Sequence, residues 1–328
     1  MWRSVNYETC GRGHKKMSIP CQDKTISYNN NNVNIIALAD GAGSAKFSHY
    51  GAEVVLEAVS KFISNNFDLL INNPNGVQVK QDILTHLIEK LNRKSQELCC
   101  DMKDLASTLL LVAIKENSFL ICHVGDGIIG YLKEDELKVA SKPENGEFVN
   151  TTTFVTSKNA VMAMKLFKGK LDNINGFVLM SDGTAESFYS KKDSKLAPIL
   201  VKIMHKNAIL EPNIIFENIK ESFDNIVVNN TFDDCSIAII SRSAGILYDY
   251  KDMDIDQKCN LLDIEFGSYS YKKRINRYDD IINFLESPKT LDQISRELYL
   301  KKKYMKKYVN KLTYIGIIVK EGNKYKKV

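Results

Sequence analysis

Four times in this chain an apolar run begins or ends at an aspartate that stands beside glycine or a second acid. No other feature limits the fold as much. The places are Asp40 in Ala39-Asp40-Gly41, Asp126 in Gly125-Asp126-Gly127, Asp182 in Ser181-Asp182-Gly183, and Asp233-Asp234 just ahead of Cys235–Ile240. Strand ends on one edge of a sheet converge in space, so a fold that keeps all four must crowd carboxylates together. Crowded carboxylates away from bulk water are costly unless cations neutralise them. A donor set made of oxygens, with few His or Cys, suits Mg²⁺ or Mn²⁺ better than zinc. Taken singly, each Asp-Gly is an ordinary turn. Their order and spacing are what point to a metal.

The intervening segments read as strands and paired helices. Asn34–Ala39 is a buried strand running into the Asp40-Gly41 turn, and Val54, Val55, Ala58, Val59, Phe62 and Ile63 recur at helical spacing. A second helix is expected over 78–98. Leu109–Ile114, Phe119–Val124 and Ile128–Leu132 suggest an antiparallel meander, with further strands at Val149–Thr156 and Asn175–Met180. Helices over 195–207 and 211–228 precede the last strand, Cys235–Ile240, and Asn29–Asn32 reads as a solvated turn. Strands, paired helices and strands again favour an α+β layered sandwich over a βαβ repeat.

Composition narrows the class. Nowhere do 18 apolar residues run together, and Met1–Glu8 lacks a signal-peptide pattern, so a cytoplasmic protein without a membrane span is expected. The seven cysteines form no Cys-x-x-Cys pair and read as reduced, mostly buried thiols. The net charge of +5 hides an asymmetry: from Lys273 to Val328 there are 15 Lys and Arg against 6 Asp and Glu. The predicted organisation is a domain over 1–242, a linker over 243–272, and a small basic domain over 273–328.

The segments Ala39-Asp40-Gly41-Ala42-Gly43-Ser44, Ala106-Ser107-Thr108-Leu109, His123-Val124-Gly125-Asp126-Gly127, Phe177–Gly183 and Phe232-Asp233-Asp234-Cys235-Ser236 resemble, in content and order, the motifs of type 2C metal-dependent Ser/Thr protein phosphatases. The resemblance covers roughly residues 1–241. It implies an antiparallel β-sandwich flanked by paired helices, holding two Mg²⁺ or Mn²⁺ ions and a weaker third. By the same resemblance Asp40 bridges two metals, the Gly41 carbonyl neighbours them through water, and Asp182 and Asp233 complete one metal's ligands. Asp126 joins Asp182 at the third ion, and Asp23 matches the acid of the first motif. Hydrolysis of phosphoserine or phosphothreonine in a partner protein, such as a companion kinase, then uses a water activated between the metals, with Asp40, Asp182 and Asp233 as its catalytic holders.

The chain departs from that pattern at three places. Gln22 stands where the family has Glu, Ala42 where it has a His proposed as general acid, and Ser18 near the place of its phosphate-gripping Arg. His14 is the residue that can substitute for either lost role, while His49 and His123 read as structural. Ser107-Thr108 reads as support for the core, since no His-acid pair makes it a nucleophile. A dinucleotide site at Gly41-x-Gly43 is disfavoured because a third glycine is missing and Asp40 would repel a pyrophosphate. An aspartyl nucleophile of the haloacid-dehalogenase kind would want an acid where Ala42 stands.

In the basic segment, Thr290 is the expected N-cap of a helix carrying Leu291, Ile294 and Leu298. A helix over 301–315 buries Met305, Val309 and Leu312, and a hairpin turns at Glu321-Gly322-Asn323. Three helices and a hairpin follow winged-helix order. The lysine face opposite Met305 lacks Arg for guanine contacts, which favours protein docking over nucleic acid. Two other readings compete with the enzyme: a pseudo-phosphatase that binds phosphoproteins, motivated by Gln22 and Ala42, and a DNA-binding regulator acting through 273–328.

Overall fold

Residues 1–134, 136–143, 152–243 and 250–328 are described by the computed structural model. One five-stranded sheet runs Lys24–Asn30 (β2), Val33–Ala39 (β3), Leu109–Lys115 (β4), Ser118–Val124 (β5) and Lys165–Lys170 (β8) in spatial order, with every neighbouring pair antiparallel. The other runs Trp2–Thr9 (β1), Cys235–Arg242 (β12), Ile174–Met180 (β9), Ile128–Lys133 (β6) and Glu136–Ser141 (β7). A short hairpin pairs Tyr189–Ser190 (β10) with Lys195–Leu196 (β11).

Burial explains why the central strands read as unbroken apolar runs. In β4 every residue from Leu109 to Ile114 is buried, as expected of a strand covered on both faces. Side chains alternate across a strand. Ile35, Ala37, Leu109, Leu111 and Ala113 join Val55, Val59, Ile63, Leu87 and Leu91 in one core beneath the helices. Ile36, Leu38, Leu110 and Val112 take the opposite face and are equally buried, where β3 and β4 meet β9 of the second sheet. The result is the α+β sandwich of antiparallel sheets and helices that the sequence predicts.

The helices over the first sheet are Ser48–Asn72 (α2) and Gly76–Leu98 (α3). Asn75 caps α3 by accepting from the Gln78 amide, which satisfies one of the amides left unpaired at a helix start. Gly51 lets α2 touch the helical turn Met102–Leu105 that follows α3: a Cβ there would lie 2.0 Å from the Leu105 carbonyl oxygen. Helices Ile199–Ile209 (α6) and Pro212–Asn225 (α7) come next in the chain, and Tyr7 of β1 meets Phe216 and Phe223 of α7 edge-on.

Two local expectations are corrected. The strands over 109–132 are not one meander, because β4 and β5 lie in the first sheet whereas β6 pairs with β7 and β9 in the second. The turn Gly125-Asp126-Gly127 therefore carries the chain between sheets, with Gly125 at φ 121°, a backbone conformation that favours glycine. Residues 152–154 belong to no strand and 155–156 form a turn; the first part of the predicted Val149–Thr156 strand lies outside the described residues. By contrast, Asn31 and Asn32 do turn the chain, at φ 52° and 61° between β2 and β3.

Packing divides the chain into two compact units, one of Ser4–Leu200 with Phe216–Ile240, the other of Met1–Arg3, Val201–Ile215 and Ser241–Val328. In the latter, Ile255–Leu262 is a helix with Cys259, Leu261 and Leu262 buried. Helices Tyr271–Phe284, Leu291–Glu297 and Lys302–Tyr314 follow. A three-stranded antiparallel sheet accompanies them, with Lys324–Lys327 (β15) between Lys289–Thr290 (β13) and Ile318–Glu321 (β14). Thr290 forms a capping box with Gln293, and Met305, Val309 and Leu312 are the buried residues of the last helix. Asp263 gathers Lys202, Lys206 and Lys311 at 3.4, 3.1 and 2.6 Å. Burial alone would raise its pKa, but the Lys311 and Lys206 ammoniums outweigh that and hold it near 2.

Two outcomes follow from this packing. Gly51→Ala forces a methyl onto the Leu105 carbonyl and costs about 1–3 kcal/mol of unfolding free energy in urea titration. Asp263→Asn lowers stability at pH 7 by about 0.5 kcal/mol, a small value because the group is half-exposed. Since the folded pKa is depressed, the wild-type advantage is present above pH 4 and fades toward pH 2, as thermal melts across that range will record.

Candidate metal centre

Asp40 follows β3 directly, and its backbone is clamped on both sides. Its amide donates to Thr108 Oγ1 at 2.8 Å, while its carbonyl accepts from the Thr108 amide at 2.8 Å. Gly41 bridges Ser107, its amide donates to the Gln22 carbonyl at 3.2 Å, and the Ala42 amide donates to the Ala106 carbonyl at 2.9 Å. The Ser107-Thr108 pair thus supports the loop, in keeping with the sequence reading. Gly41 is required by the start of α2, since a Cβ would meet Ser48 at 2.8 Å.

Asp182 opens helix Asp182–Phe188 (α5), with its Oδ1 accepting from the Gly183 amide at 2.6 Å. A side chain at 183 would strike the Asp234 carbonyl oxygen at 2.2 Å. Asp126 sits on the turn between sheets and accepts from the Thr152 hydroxyl. Oxygen atoms of Asp40, Asp126 and Asp182 all lie within 4.8 Å of one another.

Charge makes this crowding visible. Burial first, then Asp23, Asp182, Asp233 and Asp126, push the Asp40 carboxyl far above its ordinary range. Burial, then Asp126 and Asp233, raise Asp182 to about 6. Burial raises Asp233, with Asp234 and Asp126 adding to it and His14 opposing. Asp23, only 1% exposed, is raised by burial and by Asp234 and Asp182, against a counter-pull from nearby Ser236 and Ser181. Five carboxylates from separate elements therefore feel one another: Asp40, Asp126 and Asp182 in contact range, Asp233 and Asp23 beside them.

The Asp233-Asp234 pair divides its work. Asp234, 2% exposed, accepts from the Gly11 and Gln22 amides, both at 2.6 Å. It thereby ties the segment carrying Asp23 and the short helix Arg12–Met17 (α1) to the last strand. Sequence reasoning gave this scaffold role no place; an acidic pair ahead of a buried strand was its only signal. Thr152, beside Asp126, was missed likewise. His14 of α1 has Nδ1 3.0 Å from Asp234 Oδ2, without the angle of a hydrogen bond. Arg12, two residues earlier, stacks on Phe232 at 4.7 Å and donates to the Thr231 carbonyl. Ser18 turns the chain after α1 at φ 56°.

The other histidines are built into the fold. His123 Nε2 lies 3.2 Å from the Gly125 carbonyl, which can only accept, so Nδ1 accepts from the Ser141 hydroxyl at 2.6 Å. Burial lowers its pKa to about 4, keeping it neutral. Burial also lowers His49, whose ring lies against Tyr50. All seven cysteines are free, but only Cys122, Cys235 and Cys259 are buried, so the expected burial holds for fewer than half.

The residues present fit divalent cations. Among the described residues, Asp23 Oδ2 and Gln22 Oε1 are buried without a hydrogen-bond partner, and buried acceptors of this kind call for a donor or an ion. Asp40, Asp126, Asp182, Asp233 and Asp23 supply only hard oxygen donors. Gln22 and Ala42, 5% and 6% exposed, occupy two of the three places where the chain departs from the resemblance.

The fold and this carboxylate centre define a phosphatase class, and comparison with known proteins agrees. Residues 10–212 match the family model described as Protein phosphatase 2C, and the chain belongs to that family. Serine/threonine-protein phosphatase 3 of Escherichia coli (strain K12) is 27% identical over 171 residues, spanning 51% of this chain and 67% of the relative. A bacterial serine phosphatase structure shares the fold at 15% identity and TM-score 0.51, covering 74% of this chain and 98% of its own. The catalytic domain of serine threonine protein phosphatase PstP, solved with two manganese ions, does so at 13% identity and TM-score 0.51, covering 73% and 97%. Among the described residues, no helix is long and apolar enough to cross a membrane.

A carboxyl with a raised folded-state pKa binds protons more readily folded than unfolded. The metal-free chain therefore loses stability as pH climbs from about 4, through about 6 for Asp182 and on to about 8 for Asp23, and the loss persists above. Asp182→Asn removes one such charge and raises metal-free stability at pH 7.5 by about 2–3 kcal/mol. The same variant shows a smaller gain in melting temperature on adding Mn²⁺ than wild type, which calorimetry will measure.

Proposed function

We propose that the chain hydrolyses phosphoserine or phosphothreonine monoesters in a partner protein, using two Mg²⁺ or Mn²⁺ ions held by Asp40, Asp182, Asp233 and Asp23. Asp126 serves a weaker third ion, and the Gly41 carbonyl takes part through water. When bound, the ions acidify a water and hold charge on the phosphoryl oxygens. The observation that carries this reading is the convergence of buried carboxylates whose charges only cations can make tolerable.

The remaining steps belong to the chain's own residues. Asp40, reached from β3, and Asp182, from the start of α5, are fixed by backbone bonds, so the cluster needs little reorganisation when charge moves. Ala42 carries no proton. His14, with Nδ1 toward the Asp234 carboxylate, leaves Nε2 to hold the proton that a serine or threonine alkoxide needs on leaving. Gln22 contributes an oxygen without charge, which lowers cation affinity relative to a carboxylate. A phosphorylated companion kinase is one substrate of the required chemistry.

The assay is Mn²⁺-dependent phosphate release from a phosphothreonine peptide. Asp40→Asn and Asp182→Asn are expected to abolish turnover, about 10³-fold or more. No release by wild type, or release unchanged in both variants, sinks the enzyme; binding of the peptide without release assigns a phosphoprotein-binding pseudo-phosphatase. His14→Gln is expected to lower kcat about 10²-fold on phosphothreonine yet little on p-nitrophenyl phosphate, whose leaving group needs no proton. Equal losses on both would remove His14 from the acid's role.

A further inference from the structure

We propose that Cys10, His14 and Asp234 form a second cation site, chemically unlike the carboxylate cluster, which takes a thiophilic divalent ion such as Zn²⁺. Cys10 Sγ, a ring nitrogen of His14 and a carboxylate oxygen of Asp234 lie within 4.8 Å of one another. Tetrahedral zinc, with bonds of about 2.3 Å to sulfur and 2.0 Å to nitrogen, sets neighbouring ligand atoms about 3.5 Å apart. Closing the three onto an ion thus needs shifts of about an ångström. Sulfur, imidazole and carboxylate together select zinc over Mg²⁺ or Mn²⁺, which prefer oxygen alone.

Each ligand atom is available. His14 Nδ1 is buried and faces Asp234 Oδ2 at 3.0 Å without a hydrogen bond. Cys10 Sγ makes long contacts, 3.8 and 3.6 Å, to the carbonyls of Gly11 and Ile19, and its thiol also interacts with Asp234, a contact that ligation of an ion would replace. Asp234 accepts two amides, and a carboxylate has capacity for about four bonds, so acceptor positions remain. The frame is fixed independently of any ion: the Gly13 amide donates to the Phe232 carbonyl at 2.9 Å and the Lys15 amide to the Gly11 carbonyl at 2.9 Å. Cys10 and His14 are four residues apart across the start of α1, and Asp234 comes from the residue before β12, the strand beside β1. On ligation the Cys10 thiol gives its proton to solvent as the sulfur–metal bond forms, and no electron transfer is involved. With three protein ligands, a water completes the tetrahedron; an ion on Nδ1 excludes the proton-donor role proposed for His14, so the two are alternative states of this residue.

The test uses the full chain with saturating Mg²⁺ to occupy the carboxylate cluster, titrated with Co²⁺ as an optical stand-in for Zn²⁺. Wild type is expected to show a near-ultraviolet thiolate charge-transfer band and strong tetrahedral visible bands at one equivalent, both displaced by Zn²⁺. Cys10→Ser should lose the near-ultraviolet band and weaken cobalt affinity roughly tenfold or more. His14→Gln should weaken affinity likewise and decides the matter if Cys10→Ser does not fold. A Cys99→Ser, Cys100→Ser double variant should bind as wild type does. No band in wild type, a band surviving in Cys10→Ser, or a band lost in the double variant would overturn the site.

Discussion

Desolvated negative charge governs the larger unit. Five aspartates from separate stretches of chain meet at one end of two sheets, and burial raises the carboxyl pKa of four of them, Asp23, Asp40, Asp182 and Asp233. An unpaired carboxylate in such a place is unfavourable by several kcal/mol. The sandwich must therefore hold the side chains against their own repulsion. It does so with backbone bonds: Thr108 grips Asp40, Gly183 donates to Asp182, and Asp234 binds the amides of Gly11 and Gln22. Rigidity and charge crowding are two sides of one arrangement, because a centre that could relax would simply spread apart.

The same arrangement explains where glycine appears. Gly41, Gly183 and Gly11 stand where a Cβ would meet Ser48, Asp234 or Asp233 at under 3 Å. Close approach of backbones brings the acidic loops together, and these positions are where they touch. The departures Gln22 and Ala42 leave this scaffold intact, since both are buried without disturbing the bonds that position Asp23 and Asp40. They bear on the chemistry proposed for the centre, through one charge and one proton, and hardly on the fold.

Much of this was legible in the chain's own pattern. The near-continuous apolar runs of β3 and β4 followed from strands covered on both faces, the Thr290 cap from a side chain that satisfies a helix amide, and the Asn turn from residues that tolerate positive φ. The strands over 109–132 show where such reading stops. Three apolar runs with glycine turns look like a meander whether the third pairs with its neighbour or crosses to another sheet, and local propensity is the same in both cases. Only the long-range partners of β6, namely β7 and β9, decided it.

Local chemistry by itself determined that Asp40, Asp126, Asp182 and Asp233 sit at strand ends, because apolar runs and glycine turns act over a few residues. Tertiary structure alone decided that Asp23 is buried among them, that Asp234 and not its neighbour binds the distant amides of Gly11 and Gln22, and that His14 and Cys10 face Asp234 across more than 200 residues of chain. The physical reason is that burial and electrostatic coupling belong to the packed chain. A carboxylate's neighbours are set by how two sheets and their loops close on one another, which no short stretch of sequence contains.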